Sequence, residues 1–157
     1  MKKLRKKILE MQDENIMRRP LYDRCMRAVE AVTGLNIKEL NNIIIYEPDS
    51  KRAKVLKKLT KVVKAEAVTI GKNEIVFLRD FNMEFEYLRF FKLLAHEATH
   101  IKQMQSGRLK FSMKYFWEYG TGLVTHGSIF KAYENISTEK EAVENANTFL
   151  RIILNRP

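Results

Sequence analysis

The chain has 157 residues, 45% of them hydrophobic and 31% charged, with a formal net charge of +10. That length suits one domain with a single core, and that composition excludes an intrinsically disordered chain. One cysteine, Cys25, excludes an internal disulfide and a cysteine-based zinc knuckle.

No apolar stretch approaches a membrane-spanning length. The segment "ILEMQDENIMRR" interrupts any apolar run behind the basic start, so a signal peptide is not expected. The default compartment is the cytoplasm, and delivery by a secretion or injection machine is compatible with the same features. The positive charge concentrates in "MKKLRKKILE" and "SKRAKVLKKLTKVVK" and reads first as solvated helix faces. Contact with nucleic acid or an acidic partner is the second reading, although no nucleic-acid reader motif accompanies it.

Residues 2 to about 33 read as one or two helices interrupted by Pro20, with Gly34 as the stop. A β-branched run predicts a strand over 43–47, and Lys51 to Lys64 predicts a basic amphipathic helix. "AEAVTIGKNEIVFLRD" predicts a hairpin, with strands at about 65–70 and 74–79 around a Gly-Lys-Asn turn. Asn82 is placed to cap a long apolar helix that should stop at Ser106-Gly107. Residues 112–134 look helical in pieces, broken near Gly120, Gly122 and Gly127. A last helix should run from Ser137 or Thr138 to Asn155. The sum is an α+β fold, mostly helical, with a small sheet of about three strands. It is expected as one domain over 1–157, in which 1–59 form an N-terminal part and 60–155 the core around the long helix.

"LLAHEATHIK", residues 93–102, carries the chemistry. Residues four apart on a helix lie about 40° from one another, so His96 and His100 can aim ring nitrogens at one point. Glu97 lies about 100° round from His96, badly placed as a ligand but able to take a proton from a metal-bound water. The pattern sits on an apolar helix with Phe90, Phe91, Leu93, Leu94, Ala95 and Ile101, in the wall of the core. Two histidines buried there without partners are costly, and a metal ion satisfies both.

A hydrolytic zinc needs a third protein ligand and one open position. "NISTEKEAVENANTFL", about forty residues downstream, offers Glu139, Glu141 and Glu144. On a helical projection Glu139 falls within the apolar stripe of Ala142, Ala146, Phe149, Leu150 and Ile153, Glu141 at its margin and Glu144 opposite. Thr138 and Glu141 also read as a capping box. Glu139 is preferred as the ligand, with Glu141 as its rival.

"LLAHEATHIKQ" resembles the signature helix of the zincin metallopeptidases, and "EKEA" resembles the glutamate motif of their gluzincin branch. From "KAEAVTIGKNEIVFLRD" onward the chain is similar to small zincin-like domains found in phage, toxin and contractile-injection proteins. The likeness covers roughly residues 60–150, and residues 1–59 resemble no family. The chain lacks the His-x-x-Gly-x-x-His extension of the metzincin branch. The resemblance implies a zincin-like fold that binds one Zn2+ per chain through His96, His100 and a glutamate of "EKEA", Glu139 or Glu141, with Glu97 as general base in hydrolysis of a peptide bond.

An extended peptide substrate is expected along the edge of the 74–79 strand. Tyr115, Tyr119, Tyr133 and His126 are the available extra donors to an oxyanion, and none is assigned. The alternative to a peptidase is a non-catalytic, zinc-stabilised adaptor, with or without nucleic-acid affinity through the basic surface.

Overall fold

The computed structural model describes residues 2–3, 19–59, 65–83, 85–126 and 136–154. In chain order these form β1 (Lys2–Lys3), α1 (Arg19–Thr33), α2 (Ile37–Asn41), β2 (Ile44–Tyr46) and α3 (Lys51–Leu59). The hairpin β3 (Ala67–Gly71) and β4 (Glu74–Phe77) follows, then α4 (Tyr87–His126) and α5 (Ser137–Leu154). The fold is α+β and mostly helical, with a small mixed sheet beside the helix that bears His96 and His100.

Punctuation in the sequence sets most of these boundaries. Pro20 stands in the first turn of α1, where its missing N–H costs no hydrogen bond, and the segment before Arg19, on the other side of the expected interruption, lies outside the described residues. Gly34 ends the helix at φ 68°, its amide donating to the Glu30 carbonyl at 2.9 Å. The short α2 is an element the apolar pattern did not predict. Asn36 accepts from the Glu39 amide, and Glu39 returns a bond to the Asn36 amide, a complete capping box.

The sheet order is β1-β2-β4-β3. β4 pairs antiparallel with β3 (Ala67 opposite Phe77, Thr69 opposite Ile75) and parallel with β2 (Ile45 opposite Ile75). The strand expected to offer a free edge, β4, is therefore interior, and the edge belongs to β3. A parallel β2–β4 pair joins strands far apart in sequence, so local pattern did not show which edge is left over.

Strand alternation gives the sheet two faces. Ile45, Ala67, Ile75 and Phe77 enter the main core, while Val76 and Leu78 pack with Ala53 under α3. The main core runs from Cys25, Met26 and Val29 of α1 to Phe149 and Ile153 of α5, so the N-terminal part contributes to the same cluster as the helix of the site. A file of aromatic rings joins the layers. Phe77 stacks on Phe90 at 5.3 Å, Phe90 meets Phe91 at 5.5 Å, and Phe91 lies 6.4 Å from Phe149.

α4 breaks where its stop was expected. Gly107 has φ 154° and ψ 91°, and helical segments meet on either side of it. The segment after the break is continuous through Gly120 and Gly122, contrary to the expected pieces; a glycine within a helix costs only about 1 kcal/mol. The expected break near Gly127 lies outside the described residues. Among the described residues, no helix is long and apolar enough to cross a membrane.

Candidate metal centre

α4 and α5 pack closely and bring together side chains 39 positions apart in the sequence. His96 and His100 lie on one face of α4, with their Nε2 atoms 3.2 Å apart. Glu139, in the first turn of α5, places Oε2 3.5 Å from His96 Nε2 and Oε1 3.5 Å from His100 Nε2. The core requires this placement of α5, because Ala142, Ala146, Phe149 and Ile153 on the same stripe as Glu139 are all buried.

These distances test whether the residues fit a metal ion. Zinc bonds of about 2.0–2.2 Å in a tetrahedron separate the donors by about 3.3–3.6 Å. The histidine nitrogens, 3.2 Å apart, stand close to that spacing, and each has its own Glu139 oxygen at 3.5 Å, so that one ligand atom from each residue lies within 4.8 Å of the others. At 3.5 Å the histidine–glutamate contacts are long for hydrogen bonds, and Glu139 Oε2 is buried with no hydrogen-bond partner. A buried carboxylate with one imidazole nitrogen beside each oxygen, and one of those oxygens left without a hydrogen bond, is a donor set suited to a cation. His96, His100 and Glu139 form the group among the described residues with ligand atoms close enough to hold an ion.

The electrostatics agree. Burial disfavours charge on His100, but the adjoining Glu139, with Glu97 and Gln103 contributing, raises its pKa to about 9. Burial likewise opposes charge on Glu139, yet the two imidazoles hold its carboxyl down at about 2. The pocket thus favours positive charge opposite Glu139, which a divalent cation also supplies.

A second layer holds the donors. His100 Nδ1 is 2.9 Å from Gln103 Oε1, and the Gln103 amide nitrogen donates to the Thr138 carbonyl at 3.1 Å and to Glu141 Oε2 at 2.8 Å. Asn145 of α5 donates to Thr99 Oγ1 at 3.1 Å, a second tie between the two helices. Glu141, the rival ligand, therefore bonds Gln103 and stays outside the donor cluster, and Glu144 is exposed and faces Arg151. The capping box expected of Thr138 and Glu141 does not form. The helix already begins at Ser137, the Ile136 carbonyl takes the Lys140 amide, and Thr138 Oγ1 is buried without a hydrogen-bond partner.

Glu97 is buried and separate from the three donors. Thr69 of β3 donates its hydroxyl to Glu97 Oε2 at 2.7 Å and also lies 3.0 Å from the Glu97 carbonyl oxygen. One Glu97 oxygen is thereby fixed against the sheet. His96 and Glu97 line a cleft of about 360 Å³ whose other walls come from the start of β3, from α4 and from α5.

Sequence reasoning missed Gln103 and Thr69. Gln103 had a signal, since it stands three residues after His100 on the same helical face. Thr69 had none, because a hydrogen bond across 28 positions depends on strand order. The side chains of Tyr115, Tyr119, His126 and Tyr133 lie outside the described part of the structure. Comparison with family models, with curated proteins and with solved structures finds no match.

Proposed function

We propose that this chain is a zinc-dependent metallopeptidase of the gluzincin type, with a zincin-like core, in which His96, His100 and Glu139 hold one Zn2+ and Glu97 is the general base. The observation that carries this reading is the division of labour at the site. Three donors gather within 4.8 Å of one another, while a further carboxyl group, Glu97, lines a cleft with one of them, His96, and stays outside the donor set. A purely structural zinc site gains nothing from such a carboxylate, whereas hydrolysis needs one to take a proton.

When bound, zinc supplies Lewis acidity toward a water and toward a carbonyl oxygen. The rest falls to residues of the chain. Thr69 holds Glu97 Oε2, which leaves Oε1 to accept the proton of the attacking water. The water oxygen bonds to the scissile carbonyl carbon, the C–N bond breaks, and Glu97 returns the proton to the leaving amine. The edge strand β3 offers backbone groups to align an extended peptide beside the cleft.

Glu97→Gln tests the reading. Hydrolysis of a quenched fluorescent peptide library should fall by about 10²–10⁴-fold, while zinc content and thermal midpoint stay at the wild-type values. Equal hydrolysis by the variant and wild type refutes the mechanism. Zinc binding without hydrolysis by wild type favours a zinc-stabilised adaptor.

A further inference from the structure

The cleft beside His96 and Glu97 carries an uneven set of charges. Besides those two, its ionisable lining residues are Glu66, Arg89 and Lys92. Glu66 Oε1 is shared at 2.6 Å by Arg79 Nε and Arg89 Nη2, and both guanidiniums also reach Glu86, at 2.7 and 3.4 Å. Two guanidiniums and two carboxylates balance, so this quartet is neutral. Lys92 differs. It is half-buried, and among the described residues no carboxylate pairs with it.

Position adds meaning to that cation. Lys92 stands four residues before His96 on the same face of α4, about 6 Å along the helix axis. An extended peptide advances about 3.3 Å per residue. A peptide whose scissile carbonyl lies at His96 therefore brings a side chain one or two residues away within reach of the Lys92 ammonium. The surrounding wall is apolar and small, formed by Ala65, Ala67, Leu93, Val143 and Ala146. Such a wall fits a short aliphatic stem and offers a carboxylate no competing donor apart from Lys92 and the neutralised Arg89. A half-buried ammonium gains most from a charge-assisted bond that a ligand supplies.

We propose that this cleft selects peptides bearing a carboxylate one or two residues from the scissile bond, with Lys92 as its counter-ion and the alanine-rich wall seating its stem. The proposal rests on the peptidase reading and names its substrate class. The carboxylate comes from an aspartate or glutamate side chain or from a free chain terminus, and the same experiment separates the two.

The test measures two quantities in parallel on the full chain. One is kcat/KM of the zinc-loaded protein on fluorogenic peptides carrying Glu, Gln or Lys near the scissile bond, each with a free or amidated C-terminus. The other is binding of the same peptides to Glu97→Gln, by calorimetry, which needs no turnover. The glutamate or free-terminus peptides should be preferred over their glutamine or amidated counterparts by about tenfold to hundredfold in both quantities. Lys92→Met should equalise the pairs, Lys92→Arg should keep the preference, and Lys92→Glu should turn it toward the lysine peptide. Zinc content and circular dichroism of each variant confirm an intact fold. Cleavage with no charge preference overturns this inference and leaves the peptidase reading standing. Lys92-dependent binding of acidic peptides with no cleavage by wild type overturns the peptidase reading and the substrate role built on it, and leaves Lys92 as the counter-ion of a bound carboxylate. Neither cleavage nor binding overturns both.

Discussion

His100 Nδ1 lies 2.9 Å from Gln103 Oε1, and that contact fixes which nitrogen of His100 keeps its proton when the other takes a metal ion. The Gln103 amide nitrogen faces two acceptors, the Thr138 carbonyl and Glu141 Oε2, so its oxygen must face His100. An acceptor at Nδ1 keeps a proton there, so a bound metal ion would take His100 through Nε2, on the side of His96 and Glu139.

Replacing Gln103 by leucine removes both the tautomer lock and the tie to α5. Zinc affinity should fall by about 10–100-fold, measured by competition with a chromophoric chelator. Gln103→Leu with wild-type affinity contradicts the assigned tautomer.

Thr69 bonds Glu97 and, among the described residues, none of His96, His100 and Glu139. Thr69→Val should lower kcat about tenfold to hundredfold, the scale of a hydrogen bond to a charged group, with zinc content unchanged. Thr69→Ser keeps the hydroxyl and should recover most of the rate. Failure of serine to rescue indicates that Thr69 matters for packing between β3 and α4 and not for the position of Glu97.

Cys25 is fully buried, and burial, opposed by the nearby Arg24, pushes its thiol from 9.0 up to about 12. The raised folded-state value gives the sign. The folded protein keeps a proton that the unfolded chain releases, so this contribution to stability is complete below pH 9 and is lost as pH rises from 9 through 12. Urea midpoints should therefore decline over that window, and the decline should be shallower in Cys25→Ala. At pH 8 a thiol reagent should label Cys25 only as the protein unfolds; prompt labelling of the native protein contradicts the burial.

Phe149 anchors the helix that carries Glu139, stacked 6.4 Å from Phe91 and fully buried. Phe149→Ala should cost about 3–5 kcal/mol in chemical denaturation. Added zinc should recover part of the thermal midpoint, because it binds the folded state alone. A loss below about 1 kcal/mol means that α5 is not held by this contact.

The sequence made some of this legible because the information is local. His96, Glu97 and His100 share a helix turn, so their geometry follows from the helical period alone. Glu139 follows from the same period applied to its own helix, where the apolar stripe marks the buried face. The hairpin followed from a Gly-Lys-Asn turn signal between β-branched runs, and the chain turns there at Lys72-Asn73. What failed was non-local or competitive. The sheet edge depends on pairing β2 with β4, which no window of sequence contains. Thr138 and Glu141 satisfy a capping pattern, yet Gln103 of another helix claims the Glu141 side chain. Asn36 and Glu39 did carry a complete capping signal for α2, and the element was missed because its apolar face is a single buried leucine, Leu40.

Zinc stoichiometry of the purified chain, beside Glu139→Ala and Glu141→Ala, decides whether His96, His100 and Glu139 hold an ion. One zinc per chain is expected in wild type and in Glu141→Ala, and almost none in Glu139→Ala. Wild-type protein that folds without retaining added zinc, or Glu139→Ala that retains a full equivalent, contradicts it.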